Sequence, residues 1–308
     1  MAETMLTGFD LTSASDYQAL ERPLRDLLAR HETANRVFGH LGHSALRQLT
    51  ADEAPDAFRA IGSLVTNLDE EGAVVLHATG VDEMEDEMAQ LTSISIGSIF
   101  GHPTKTDKRK AQIAWPVMFD PDTTVARTFS QTLGEAAFHT DTQYFEHPEK
   151  YFGLFCIHAD VPGKGTNLLL DGVAALDRFR LEHDEAVAAE LQRPYPFRVP
   201  SVFTEGGTDR DIEVTWAPIF EAVRGTVRYR KDTIERALTV AGVKISDGQA
   251  GALELFDSHV ETMPAASYHL QPGDALLVNN HRMLHARTAF DDELRKLYRV
   301  RMSNDAAV

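Results

Sequence analysis

Apolar residues recur at helical spacing through SDYQALERPLRDLLARHETANRVF, which predicts helices over about 15–60 with Pro23 near an early turn. The period then shortens. VVLHATG, SISIGSIFG and AQIAWPVMFD read as strands, with the polar stretch GHPTKTDKRK as a loop between the last two. AAFHTDTQYF, YFGLFCIHAD and GTNLLLDG follow as strands bounded by Pro, Gly or charged turn residues. From 173 to 265 the pattern predicts a helix over 173–192, strands around 195–200 and 212–230, and a helix from a Ser246 cap to about Met263. Ser246-Asp247-Gly248-Gln249 fits a capping box, with the hydroxyl at the cap and Gln three residues on. HLQPGDALLVNNHRMLHARTAF predicts a Pro-Gly-Asp turn, a strand, a polar break at Asn279 and Asn280, and a second strand. In KLYRVRMS, Tyr298, Val300 and Met302 alternate with Arg299, Arg301 and Ser303, so both arginines share one face. With no repeat, low-complexity tract or linker, residues 1–308 are expected to form one domain.

A chain of 308 residues that is 43% apolar can bury one large core. No apolar run approaches the 18 residues or so of a membrane span, and MAETMLTGFDL lacks the basic start and hydrophobic stretch of a secretory leader. A cytoplasmic location is expected. Cys156 is the sole cysteine, so it cannot form an internal disulfide and is expected as a buried strand residue. A net charge of −17 argues against nucleic acid, because phosphate binding needs a basic surface. The expected partner is a small molecule.

Of the 13 histidines, five have an acid two residues on: His139, His147, His158, His183 and His259. His147 precedes Pro148 in a turn, and His183 and His259 sit in helical patterns, where residues two apart point about 200° apart. In a strand, His139 and Asp141 would face one side together. His158 shares the strand context but needs a different third ligand. If His285 in LHAR converges on the His139 pair, two imidazoles and a carboxylate make the ligand set of a non-haem Fe(II) oxygenase. Thr166 and Arg299 would suit an acidic co-substrate, because a guanidinium makes paired charge-assisted hydrogen bonds to a carboxylate. A zinc hydrolase could use the same ligands, although no general base such as the Glu of HExxH is evident; a non-enzymic metal or small-molecule sensor would have no need of Thr166 and Arg299.

These residues resemble the TauD/TfdA and clavaminate-synthase-like group of Fe(II)/2-oxoglutarate-dependent dioxygenases. Thr166 follows His139 by 27 positions and Arg299 follows His285 by 14, as in the clavaminate-synthase-like branch. GDALLVNNHRMLHARTAF is similar to that group's GD-x-L-x-V-x-N-x-R-x-x-H-x-R strand pair. The resemblance covers roughly 130–172 and 268–303. It implies a double-stranded β-helix (jelly roll, cupin-like) core, mainly β with flanking helices, and an insertion at about 173–265. It implies that His139, Asp141 and His285 bind Fe(II), and that Thr166 and Arg299 hold the far carboxylate of 2-oxoglutarate. With O2, 2-oxoglutarate would give succinate and CO2 while a C–H bond of a small polar metabolite, such as an amino acid or derivative, is hydroxylated. Desaturation, cyclisation and epoxidation use the same ligands. Related halogenases carry Gly or Ala where this chain has Asp141, which argues against halogenation. The stretch GHPTKTDKRK resembles a mobile loop, and such loops often cover the substrate in this group.

One departure concerns the substrate. Several members place a second Arg four residues beyond the co-substrate Arg, and Ser303 stands there in this chain. Arg301 is the candidate replacement. Gln143 and Phe145, read as alternating with Asp141 along one strand, and Gln131 and Glu135 upstream complete the candidate substrate contacts.

Overall fold

The computed structural model describes residues 6–105, 112–121, 132–200 and 213–304; Gln131 and most of the loop GHPTKTDKRK lie outside them. A first strand, β1 (Thr7–Asp10), precedes helices α1 (Glu21–His31), α2 (Ala34–Glu53) and α3 (Pro55–Glu71). Thr33 caps α2 by accepting from the Arg36 N–H, Pro55 opens α3, and Gly72 ends it in the left-handed region at φ 87°. β2 (Ala73–His77) follows, then α4 (Asp86–Phe100). The segment SISIGSIFG is therefore helical, not a strand. Every residue from Met88 to Phe100 is buried, so this helix has no polar face to reveal its period. The hydroxyls of Ser93, Ser95 and Ser98 are each satisfied by the carbonyl four residues back, which lets polar residues sit inside the core.

β3 (His102–Pro103), β4 (Ala114–Met118), β5 (Ala136–His139), β6 (Tyr151–His158) and β7 (Asn167–Asp171) come next. The segment expected as an insertion holds α5 (Gly172–Glu182), α6 (Glu185–Glu190), β8 (Pro194–Arg198), β9 (Val214–Pro218), β10 (Phe220–Glu221), β11 (Thr226–Val227), α7 (Lys231–Val240) and α8 (Asp247–Thr262). The Ser246 capping box forms as expected, both hydrogen bonds being present. The expected helix over 173–192 is broken at His183 and Asp184, and α7 was not anticipated. β12 (Ala266–Tyr268), β13 (Ala275–Asn279), β14 (Met283–Arg287) and β15 (Lys296–Ser303) complete the chain.

The larger sheet runs β1-β2-β13-β6-β15-β3, with β4 also pairing to β15; the smaller runs β12-β7-β14-β5. β1 is parallel to β2, and the other pairings are antiparallel. Strand alternation sorts the side chains into layers. Val74, Leu76, Leu277, Val300 and Met302 leave the larger sheet on one face to pack with Leu64, Ile94 and Ile96 of the first four helices. Val75, Phe152, Cys156, Leu276 and Leu297 leave the opposite face and meet Leu169 and Met283 of the smaller sheet. On the outer face of the smaller sheet, Leu170 and Leu284 pack against Phe179, Phe256 and Val260 of α5 and α8. His285 is adjacent in register to Leu169, and therefore faces the space between the two sheets. Gly97 marks the closest approach of α4 to the larger sheet: a Cβ there would stand 3.0 Å from Val300 Cγ1 and 3.2 Å from Met302 Sδ. No helix among the described residues is long and apolar enough to cross a membrane.

Candidate metal and co-substrate site

His139 is the last residue of β5 and pairs directly with His285 of β14; the register shifts between His285 and Arg287. The two rings lie 4.1 Å apart, and Phe152 of β6 packs 4.6 Å from the His285 ring. Nδ1 of His139 lies 2.8 Å from the Ala137 carbonyl, so Nδ1 carries the proton and Nε2 keeps its lone pair. The strand ends there. Asp141 is not two residues along a ladder as the sequence suggested; 141–144 form a turn followed by a bend over 145–147, with Thr142 left-handed at φ 52°. The side chain of Asn280 accounts for the difference. Its Oδ1 accepts the Asp141 N–H at 2.7 Å, while its Nδ2 donates to the carbonyls of Asp141 at 3.0 Å and Glu149 at 2.9 Å. These bonds replace those of a partner strand and return Asp141 toward the histidines.

Asp141 Oδ1 lies 3.9 Å from Nε2 of both His139 and His285. The three ligand atoms fall within 4.8 Å of one another, close enough for one cation to reach all three at bonds of about 2.0–2.2 Å with small side-chain shifts. Oδ2 lies 3.0 Å from Arg299 Nη1 and 3.1 Å from Arg301 Nε, and the same Arg299 Nη1 also reaches Oδ1 at 3.3 Å. The protonation states suit a metal. Burial, and next the positive charge of Arg230, bring His139 down to about 4; burial and the neighbouring His139 hold His285 well below its ordinary value. Burial opposes ionisation of Asp141, but Arg299, Arg301 and the histidines hold it well below the usual carboxylate range. At neutral pH the donors are two neutral imidazoles and a carboxylate, the set that suits Fe(II) with one face left open.

A cavity of about 60 Å³ adjoins these donors, bounded by His139, His285, Phe152, Leu154 and Asn167. Arg287, Arg295 and Arg299 also line it, and no carboxylate is among its described lining residues. Arg287 and Arg295 stack on Phe290 at 4.5 and 4.9 Å. Among the described residues, Arg295 Nη1 and Arg299 Nε are buried without a hydrogen-bond partner. An unsatisfied buried donor costs about 1–3 kcal/mol, so an acid in this cavity removes a penalty as well as gaining attraction. Burial and Arg301 press Arg299 down to about 10, which leaves it a cation at neutral pH.

The other candidates divide. Thr166 immediately precedes β7 and is half-buried; its N–H donates to Thr288 Oγ1 at 3.0 Å, and the next residue, Asn167, lines the cavity. Gln143 is fully buried, with Nε2 donating to Thr233 at 3.2 Å. Because the segment turns, Gln143 and Phe145 do not alternate with Asp141 on a strand; Phe145 packs into the apolar layer beside α5 and α8, with its ring edge-on to Tyr144. Glu135 is exposed. Arg301 is only 4% exposed and is engaged with Asp141. Ser303 lines a separate cavity of about 160 Å³ with Thr140, Lys150 and Arg228. Sequence reading missed Asn280, Glu149, Arg287 and Arg295. Glu149 is 6% exposed and accepts from Thr142 at 2.6 Å and Thr104 at 2.9 Å, which braces the turn carrying Asp141. The polar break at Asn279 and Asn280 was the only signal for the first of these. Among the remaining acid-paired histidines, His158 bonds Asp292 at 2.9 Å, and His259 lies 3.2 Å from Glu182.

Residues 38–301 match the model of the family described as Taurine catabolism dioxygenase TauD, TfdA family, and the chain belongs to that family. Dioxygenase str8 of Strobilurus tenacellus is 26% identical over 180 residues, which make up 54% of this chain and 38% of that protein. The match thus spans well under half of that relative's length. Among solved structures, the chain is similar to an asparagine oxygenase in complex with Fe(II), 2S,3S-3-hydroxyasparagine and succinate. That likeness has a TM-score of 0.69 at 16% identity, covering 97% of this chain and 93% of the other. It is also similar to the non-heme iron oxygenase OrfP in complex with Fe and alpha-ketoglutaric acid, with a TM-score of 0.70 at 16% identity and coverage of 97% and 94%. At these identities the likeness establishes a shared fold of mixed sheets with flanking helices.

Proposed function

We propose that this chain is an Fe(II)/2-oxoglutarate-dependent dioxygenase that hydroxylates a C–H bond of a small polar metabolite, such as an amino acid or derivative. One observation carries the reading: two neutral imidazoles and a carboxylate converge beside a cavity walled by three guanidiniums and no described acid. A zinc hydrolase has no need of that wall, and 2-oxoglutarate, with two carboxylates, does. His139 and His285 would hold the metal through Nε2 and Asp141 through Oδ1. Arg299 would hold the far carboxylate of 2-oxoglutarate, with Thr166, beside the cavity-lining Asn167, donating its hydroxyl. Bound iron, with O2, supplies the oxidation in which 2-oxoglutarate becomes succinate and CO2 and an oxygen atom enters the substrate.

The chain's own work is positional. Phe152 and Leu154 make part of the wall apolar and restrict water, while Arg295 adds positive charge to the lining. The two facing sheets, with His139 and His285 paired across the smaller one, support reading the core as a double-stranded β-helix within a single domain. The asparagine and arginine derivatives named with the solved neighbours favour an amino-acid-like substrate for this chain as well. The experiment is succinate release with Fe(II), ascorbate, O2 and 2-oxoglutarate across a panel of amino acids. Substrate-stimulated succinate supports the reading; no release combined with no 2-oxoglutarate binding overturns it.

A further inference from the structure

Two arginines share the single carboxylate of Asp141, and their surroundings differ. Arg299 lines the cavity, so it can exchange one acid for another, whereas a buried donor without a partner is common to both, Nε of Arg299 and Nη1 of Arg301. Arg301 is 4% exposed, lies outside the cavity lining and approaches Oδ2 alone, through Nε at 3.1 Å. Its strand partner across the sheet is Phe152, the residue packed on His285. Asp141 is therefore gripped at both ends: Asn280 bonds both backbone groups, and Arg301 bonds Oδ2, leaving Oδ1 as the oxygen nearest the imidazoles.

We propose that Arg301 is a positioning residue rather than a substrate contact: it holds Asp141 Oδ2 so that only Oδ1 faces the imidazoles, while Arg299 leaves Asp141 for the co-substrate. The inference rests on the proposed metal site and deepens it. Were both oxygens free to turn toward the metal, the carboxylate would occupy a second coordination position on the face that the co-substrate and O2 need. With Arg301 in place the carboxylate is confined to one. The same contact compensates the charge that Asp141 keeps once Arg299 departs. Two physical roles are separable here. As a charge alone, Arg301 would disfavour a divalent cation, and its loss would tighten metal binding. As a positioning group, it orders the ligand before the metal arrives, and its loss weakens binding.

The test is calorimetric titration of metal-free wild type, Arg301→Lys and Arg301→Met with Co(II), followed by 2-oxoglutarate and by the visible absorption of bound Co(II). Thermal unfolding of the metal-free proteins verifies folding, and Arg301→Gln replaces any variant that fails it. The expected result is Co(II) binding weaker by about 10–100-fold in both Lys and Met variants, as for other groups that orient a metal ligand, with an altered Co(II) spectrum. Lys fails because a point ammonium on a shorter reach does not reproduce the guanidinium contact. Wild-type affinity in Arg301→Lys with tighter binding in Arg301→Met would mean that Arg301 acts only as a charge, and would overturn the proposal. Unchanged affinity and spectrum in both would overturn it as well. If wild type itself binds neither Co(II) nor 2-oxoglutarate, the metal-site reading has failed.

Discussion

Replacing Arg299 by Lys separates charge from geometry at the co-substrate end of the site. The guanidinium stands between one acid and the cavity: Nη1 lies 3.0 Å from Asp141 Oδ2 and 3.3 Å from Oδ1, while Arg299 lines the cavity with Nε unsatisfied. An ammonium keeps the positive charge but offers no parallel pair of donors to a carboxylate. The variant thus loses at least one charge-assisted hydrogen bond, a difference of about 1.5–3 kcal/mol, or roughly 10–150-fold in affinity for 2-oxoglutarate. Because Arg299 also touches Asp141, metal affinity falls too, and the comparison must be made with metal saturating. Calorimetry of Co(II)-saturated protein with 2-oxoglutarate measures the loss directly, and the apparent KM for 2-oxoglutarate under turnover should rise with it. A dissociation constant within about twofold of wild type would refute the reasoning. So would a loss confined to Arg295→Lys, which would put the far carboxylate on Arg295 instead.

Further consequences concern the frame around the site. Asn280→Ala strips partners from three backbone groups of the Asp141 turn and should lower stability by about 2–4 kcal/mol in urea unfolding while weakening Co(II) binding. Phe152→Ala removes a ring that is 1% exposed and packed on His285; a stability loss of about 3–5 kcal/mol is expected, with weaker metal binding. Gly97→Val forces a branched side chain against Val300 and Met302, and denaturant unfolding should report about 1–3 kcal/mol of lost stability without a change in metal affinity. The pH dependence follows from His139. Its native pKa is depressed to about 4 from 6.5, so between those values the unfolded chain binds the extra proton. Stability of the metal-free protein is full above pH 6.5 and falls as the pH drops toward 4; the depressed Asp141 adds to this loss at still lower pH.

Much of this was legible where a pattern has one cause. Alternation in KLYRVRMS separates the residues that pack on the helices from those that face the other sheet, and the structure keeps that division. Strand context singled out His139 and Asp141, the family resemblance added His285, and the structure brings all three together. Asp141, however, reaches the histidines through a geometry other than the expected strand. A turn bonded to a distant asparagine side chain replaces the ladder, and no local pattern encodes an amide that arrives 139 residues later. Distant partners also hid Glu149, which Thr104 and Asn280 reach from 45 and 131 residues away, and a contact across 160 residues makes Arg301 a buried partner of Asp141. SISIGSIFG misled because a fully enclosed helix loses the amphipathic signal and its serines bond their own backbone.

The central claim is that His139, Asp141 and His285 hold one iron that 2-oxoglutarate chelates. Anaerobic titration of the Fe(II)-loaded protein with 2-oxoglutarate, followed by visible charge-transfer absorption, tests it most directly. Wild type should develop a saturable band at one equivalent, and Asp141→Ala and His285→Ala should develop none while retaining their far-UV circular dichroism. The same band in Asp141→Ala without added carboxylate, or its absence from wild type despite bound iron, would contradict the account.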